Sequence, residues 1–390
     1  MDPFENPFRP GAGTPPPALV GRDELIAGYE VALRRALAGR PGKSLMPIGL
    51  RGVGKTVLLN RFQAIARDHG LRIAFIEASE SANFKALFVT RLRAALLELD
   101  QGPVSSIVKR ALGTLKSFTY TLADGTSISL DVDAIAGRAD SGVLSEDVSD
   151  LLSAVGEAAK DRDSGILIAI DEVQYLDSQE LGAIISAIHR TVQLGLPVVL
   201  VGAGLPQLPG LAGTAKSYAE RLFDFPRIGS LGDEDARKVL SLPAAEREVA
   251  FAKDALEAMV ATTRGYPYFL QEWGYHVWNA APSTPITLED VRVAAPEVQR
   301  QLDENFFLVR VDRLTPAERR YLLAMAELGP GPHRSGDIAA RLGVKVESVA
   351  PRRSVLIQKG MVFSPAHGDT AFTVPLFDEF LRRTLGRPEG

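Results

Sequence analysis

Residues 49–56 read GLRGVGKT. They end an apolar stretch, SLMPIGL (44–50), and open TVLLNRFQAIARDHG (56–70), whose apolar residues recur at helical spacing as far as Gly70. A turn needs one or two glycines and has no use for the lysine. Strand, glycine-rich segment, Lys-Thr and helix together form the pattern of a phosphate-binding loop. Glycine at 49, 52 and 54 opens backbone conformations closed to other residues, so that successive amides around Leu50, Arg51, Val53 and Val57 converge on one anion. The start of the helix adds its partial positive charge. Lys55 can neutralise charge on β- and γ-phosphates, and Thr56 can offer its hydroxyl to Mg2+.

Working outward, VGRDELIAGYEVALRRALAG (20–39) reads as an amphipathic helix. LRIAFIEAS (71–79) is a second apolar strand and ANFKALFVTRLRAALLELD (82–100) a second long helix. After an interruption the alternation resumes with the strand GILIAIDE (165–172), the helix SQELGAIISAIHRTVQLG (178–195) and the strand PVVLVGAG (197–204). A last strand is expected within FDFPRIGSL (223–231). Alternating strands and helices predict an α/β fold, a P-loop NTPase with a parallel five-stranded sheet and right-handed crossovers. The interruption, about 101–150, contains SFTYTLADGTSISLDVDA (117–134), which alternates on both sides of Asp124-Gly125 and predicts a hairpin insertion.

The flanks complete a division into four parts. Residues 1–19, rich in proline and glycine, are expected to be extended and without a core of their own; 20–232 form the nucleotide core. Residues 233–309 read as an all-helical lid, where Trp273, Trp278, Tyr266 and Tyr268 occur at helical spacing as core. From 310 to 390 the order helix, helix, helix, hairpin predicts a winged helix-turn-helix, with Pro351 either kinking the third helix or lying in its first turn.

Composition narrows the chemistry. The 390 residues contain no cysteine, which excludes thiol nucleophiles, zinc ribbons and disulfide frameworks and permits a reducing cytoplasm. The first 20 residues lack the pattern of a signal peptide, and no stretch approaches eighteen uninterrupted apolar residues, so no membrane span is expected. The net charge of −4 conceals an asymmetry: residues 310–390 carry 13 Lys and Arg against 9 Asp and Glu, leaving 31 against 39 for the remainder. A basic C-terminal segment behind an acidic body suits a polyanion, although a solvated helical surface produces the same bias.

About 115 residues beyond the loop, ILIAIDE (166–172) ends an apolar strand in two carboxylates. In an open parallel sheet the ligand lies beyond the carboxyl ends of the strands, where Asp171 and Glu172 are expected. Asp171 would hold Mg2+ through water, and Glu172 would polarise the attacking water.

VGRDEL, GLRGVGKT, ILIAIDE, ERLFDFPRIGSL and TRGYPYFL, closed by the expected winged helix, resemble a P-loop AAA+ ATPase over roughly residues 20–383. The resemblance is to the branch of origin-recognition initiators and the related STAND and archaeal-type ATPases. It implies ATP rather than GTP, a choice no residue here dictates. By the same resemblance Val20, Gly21 and Arg22 enclose the adenine, and Gly265 and Pro267 form the lid signature, where a plain helix-start proline would look the same. Arg221 becomes a candidate arginine finger for a neighbouring subunit, with an ordinary surface ion pair as its alternative. Two departures stand out: VGAG (201–204) has no polar residue where many AAA+ proteins carry a sensor, and no sensor arginine follows Pro267, Arg264 preceding it instead. Missing sensors imply slow turnover.

For the C-terminal segment, a recognition helix would place Ser348, Arg352, Arg353 and nearby Lys359 on double-stranded DNA, with Arg334, Lys345 and His367 at phosphates. His333 and His367 have no partners at metal-ligand spacing. The expectation is therefore an ATP-dependent DNA-binding switch. Its alternative is a STAND-type signalling ATPase whose lid and winged helix regulate a protein partner. A dead P-loop scaffold is disfavoured by intact Lys55, Asp171 and Glu172.

Overall fold

The computed structural model describes residues 1–390 apart from 12, 14, 41, 81–82, 101–103, 123–131, 367 and 387–390. It divides into two compact units: Arg22–Ile48 with Lys55–Arg227, and Met1–Gly21 with Gly49–Gly54 and Ile228–Gly390.

The first of these is built on a parallel sheet of β1 (Ser44–Leu45), β2 (Arg72–Glu77), β3 (Ile166–Asp171), β4 (Val198–Gly202) and β5 (Phe223–Asp224), in the order β2-β3-β4-β1-β5. All five expected strands are present. Every residue of β3 is buried, which is why its sequence is an unbroken apolar run rather than an alternation. β1 is short because Pro47 has no N–H to give; pairing resumes at Ile48, which bridges to Gly204 and Arg227. The helix Ser178–Gln193 starts in a capping box formed by Asp177 and Glu180. In the register, Glu77 lies beside Asp171 and Ile170 beside Gly202, so the carboxylate leaves the sheet at the carboxyl end of its central strands.

The insertion differs from the expectation. Residues 117–120, expected as strand, belong to the helix Ser106–Tyr120, which Ser105 caps through Val108 N–H at 3.2 Å. Val108, Ala111, Leu112, Leu115 and Phe118 are buried on one face. Helical spacing over the full fifteen residues outweighs the β preference of Phe118, Thr119 and Tyr120 taken alone. The Asp124-Gly125 turn lies outside the described residues.

In the second unit the helices Asp233–Ala245, Lys253–Thr263, Pro267–Ala280 and Leu288–Gln301 occupy the segment expected as a lid. The last continues through a π-helical stretch, Leu302–Leu308, to Val311. The C-terminal part runs helix Pro316–Glu327, β6 (His333–Arg334), helix Ser335–Leu342, helix Ala350–Gln358, β7 (Val362–Phe363), β8 (Asp369–Phe372) and helix Phe377–Thr384. Its sheet is antiparallel, ordered β6-β8-β7. Pro351 lies in the first turn of its helix, so the helix is not kinked there. Tyr268 stacks on Phe306 at 4.5 Å and Phe307 on Phe380 at 5.0 Å, giving lid and C-terminal helices a shared aromatic core.

The N-terminal segment, expected to lack its own core, is anchored on the lid helix Pro267–Ala280. Phe8 fills the space over Gly274, Asn6 Nδ2 donates to Tyr275 C=O at 2.9 Å, and Trp278 Nε1 donates to Asp2 C=O at 3.0 Å.

Candidate active site

The phosphate loop is glycine-rich for two different reasons. Gly52 (φ +86°) and Gly54 (φ +92°) hold left-handed backbone, as expected. Gly49 does not. A Cβ there would collide with the Ile228 carbonyl oxygen and lie 2.9 Å from Val53 Cγ2, so glycine is required at 49 by close packing rather than by dihedral. The loop is held along its own backbone. Tyr266 Oη donates to Arg51 C=O, Tyr268 N–H to Gly52 C=O at 3.2 Å, and Arg51 N–H to Thr373 C=O at 3.3 Å. The Arg51 guanidinium lies against Gly360, where a Cβ would fall 2.7 Å from Cζ.

Arg310, on the far side of the π-helical stretch, donates to Phe306 C=O and lies over the Phe306 ring with Cζ 4.0 Å from its centroid. Burial, and then the charge of Arg51, hold its pKa down to about 10. Two guanidiniums that repel one another next to a loop of amide donors make a strongly positive environment, suited to a polyanion.

The chain enters the helix Lys55–Asp68 at Lys55, which is only 6% exposed. A lysine so buried keeps its charge only in the company of anions. One residue on, Thr56 Oγ1 donates to Asp171 Oδ2 at 2.6 Å, uniting two positions 115 residues apart. Asp171 is 3% exposed; burial raises its pKa, against the lowering by the Thr56 hydrogen bond. A desolvated carboxylate beside a hydroxyl is a pair of hard oxygen donors that fits a divalent cation. Among the described residues no cluster of three or more His, Cys, Asp or Glu could hold a metal by itself, so the remaining ligands of a Mg2+ would be phosphate oxygens and water.

Glu172 turns away from the strand in left-handed backbone (φ +54°, ψ +43°), an unfavourable conformation for a residue with a side chain. Its N–H is fixed by Asp171 Oδ1 at 2.8 Å, and its carboxylate accepts from Gln174 Nε2.

The remaining candidates fall as follows. Gly21 is left-handed (φ +72°), and a Cβ there would be 2.7 Å from Asp235 Oδ2; Val20 and Arg22 flank it. Gly265 is left-handed (φ +66°) with Leu231 C=O pressed against it, and Pro267 occupies the first turn of its helix. Arg221 is exposed on the short helix Ala219–Leu222. Arg264 pairs with Glu379 at 2.8 Å on the surface. Trp273, Trp278 and Tyr266 are buried core side chains.

The C-terminal candidates divide. Arg353 points inward, donating to Thr370 Oγ1 at 2.8 Å, Ser364 Oγ at 2.6 Å and Asp369 C=O at 2.9 Å. Lys359 pairs with Glu318 at 2.8 Å. Both side chains are therefore engaged by partners within the C-terminal segment. Ser348 Oγ donates to Lys345 C=O at 2.6 Å on the surface, and Val344, Val346 and Val355 are exposed nearby. His367 lies outside the described residues.

Sequence reasoning missed Tyr266 as a loop-holding residue, Arg310 and Gln174. Tyr266 sits inside the quoted RGYP, but an aromatic there reads as core. Nothing in spacing marks Arg310. Gln174 is two residues beyond the acidic pair, close enough to have been considered with it.

Residues 18–201 match the AAA ATPase domain family, and residues 304–381 match a domain of unknown function, DUF8462. No curated protein matches the chain. Among solved structures, the Walker-type ATPase PABY2304 of Pyrococcus abyssi has the same fold: 15% identity, TM-score 0.59, covering 96% of this chain and 98% of that one. The Orc1 protein of Aeropyrum pernix in complex with DNA matches at 17% identity over 94% of both chains with TM-score 0.47. The RuvB Holliday junction branch migration motor of Thermotoga maritima matches at 16% identity over 95% of this chain and 96% of that one with TM-score 0.46. The matched domain over residues 18–201, the parallel five-stranded sheet and the phosphate loop together give this part of the chain the P-loop fold of an AAA ATPase domain.

Proposed function

We propose that the protein is a magnesium-dependent ATP switch of slow turnover whose nucleotide state is read by its C-terminal domain, a winged helix, through Arg51. One observation carries this reading: Arg51, inside the phosphate loop, is held on its carbonyl by Tyr266 of the lid and on its amide by Thr373, with its guanidinium against Gly360. A triphosphate drawing on the loop's amides must change the balance of these bonds. Lys55 would meet the β- and γ-phosphates, Thr56 and Asp171 would hold Mg2+, and Glu172 would orient the attacking water. VGAG supplies no polar side chain at the end of β4, which supports slow hydrolysis. Arg221, exposed, would act as an arginine finger only in a self-assembled form.

The test is hydrogen exchange without nucleotide, with Mg-ADP and with Mg-ATP. Protection at the Arg51 amide and in 360–374 should differ between ATP and ADP. Identical protection in all three states would refute the switch.

For the output, the inward Arg353, the paired Lys359 and the exposed Val344, Val346 and Val355 favour a protein partner, as in a STAND-type signalling ATPase. Duplex DNA is the second reading, supported by the net +4 of residues 310–390, by the exposed Ser348 and by the half-buried Arg352. Salt-dependent duplex binding in the presence of ATP, flattened by changing Arg352 to Ala, would support DNA; its absence would leave the protein partner.

A further inference from the structure

We infer that Gln174 is the positioning residue for Glu172, fastening the carboxylate to the end of β4. Its side-chain amide bridges two fixed points. Nε2 donates to the Glu172 carboxylate, and Oε1 accepts Leu205 N–H at 3.0 Å. The two ends cannot be exchanged, because a carboxylate only accepts and a peptide N–H only donates.

The far anchor is rigid. Ala203 N–H donates to Ile170 C=O at 2.9 Å, Gly204 N–H to Pro47 C=O at 3.1 Å, and Val173 N–H to Ala203 C=O at 2.9 Å. Residues 203–205 are thereby tied to β3, to the segment after β1 and to the turn that carries Gln174. The glycines follow from this crossing. A Cβ at Gly204 would be 2.9 Å from Gln174 Oε1, and one at Gly202 2.9 Å from Val173 Cγ2. VGAG is thus small so that the amide can cross it. The near end needs the tether, since Glu172 lies on strained left-handed backbone with a flexible side chain. Without the amide, the carboxylate has no fixed direction relative to Asp171 and Thr56.

This inference rests on Glu172 acting on water at a bound ATP. Three variants separate it from a merely structural role. Gln174→Met keeps the length and loses both bonds. Gln174→Glu keeps the acceptor for Leu205 N–H and loses the donor to Glu172. Glu172→Gln removes the proposed base. Mg-ATP affinity and kcat are measured for each, and for the Glu172→Gln, Gln174→Met pair. Both Gln174 variants should bind Mg-ATP within about twofold of the parent yet lose roughly 10–100-fold in kcat, the scale of a misplaced catalytic group. In the pair, Gln174→Met should cost nothing beyond Glu172→Gln alone, because there is no base left to position.

Parental kcat in Gln174→Met would overturn the inference. So would parental kcat in Gln174→Glu, which would leave the amide with a role only at Leu205. Weakened nucleotide binding in step with kcat would also overturn it. If the parent binds Mg-ATP but Glu172→Gln turns over normally, the role given to Glu172 falls first and this falls with it.

Discussion

Replacing Gly360 by alanine tests the link between the phosphate loop and the C-terminal domain, and the structure contains its own control. Gly360 (φ +62°) and Gly343 (φ +67°) both lie in left-handed backbone, each following a helix of the C-terminal domain. Alanine at either site costs about 1–2 kcal/mol of folding stability from that conformation alone. The surroundings differ. A Cβ at 343 meets nothing within 4 Å, whereas one at 360 lies 2.7 Å from Arg51 Cζ. Ordinary carbon contact is about 3.5–4.0 Å, so the guanidinium must withdraw by roughly 1 Å. Because it is the far end of a long, flexible side chain, it yields by swinging away rather than by straining the domain. The two variants should therefore lose similar stability in thermal unfolding. Only Gly360→Ala should weaken Mg-ATP, by a coupling of about 1–2 kcal/mol, or roughly 5–30-fold in Kd by calorimetry. Equal Mg-ATP affinity in Gly360→Ala, Gly343→Ala and the parent would show that Arg51 carries no information between loop and domain.

Three further outcomes follow from the same geometry. Glu172→Gln should bind Mg-ATP like the parent and release phosphate far more slowly, down to a small residual rate, checked by a phosphate-release assay; parental turnover would remove Glu172 from catalysis. Lys359→Met should destabilise the protein by about 1–3 kcal/mol in denaturant unfolding, since it strands the buried Glu318 carboxylate. Burial pushes that carboxyl up, but Lys359 and the Thr315 cap outweigh it and hold it below the usual range, so its stabilisation is present above the ordinary glutamate pKa and is lost as pH falls. The penalty of Lys359→Met should accordingly shrink in acid; a pH-independent penalty would exclude the ion pair as its cause. Ser105→Ala should cost about 1 kcal/mol by removing the cap of Ser106–Tyr120, and unchanged unfolding would mean that the cap contributes nothing.

Much of the core was legible because its signals are local. The apolar run of β3 and the glycines before Lys55 each declare themselves within eight residues, and both lead to the observed sheet. What the sequence hid depends on long-range placement. Gly49 looks like its neighbours 52 and 54, and only the Ile228 carbonyl reveals that its constraint is steric. Arg353 and Lys359 look like surface cations until Thr370, Ser364, Asp369 and Glu318 arrive from other elements to engage them. Residues 117–120 mislead because Phe118, Thr119 and Tyr120 are β-prone when read without the eleven helical residues before them. Gln174 stays hidden in the sequence because a side-chain amide has meaning only when both of its partners are known.

The most direct measurement is isothermal calorimetry of Mg-ATP into the purified protein and into Lys55→Ala. The account predicts saturable binding at one site in the parent and none in the variant, whose loop retains its glycines but lacks the buried cation. No heat from the parent, or equal affinity in Lys55→Ala, would contradict it.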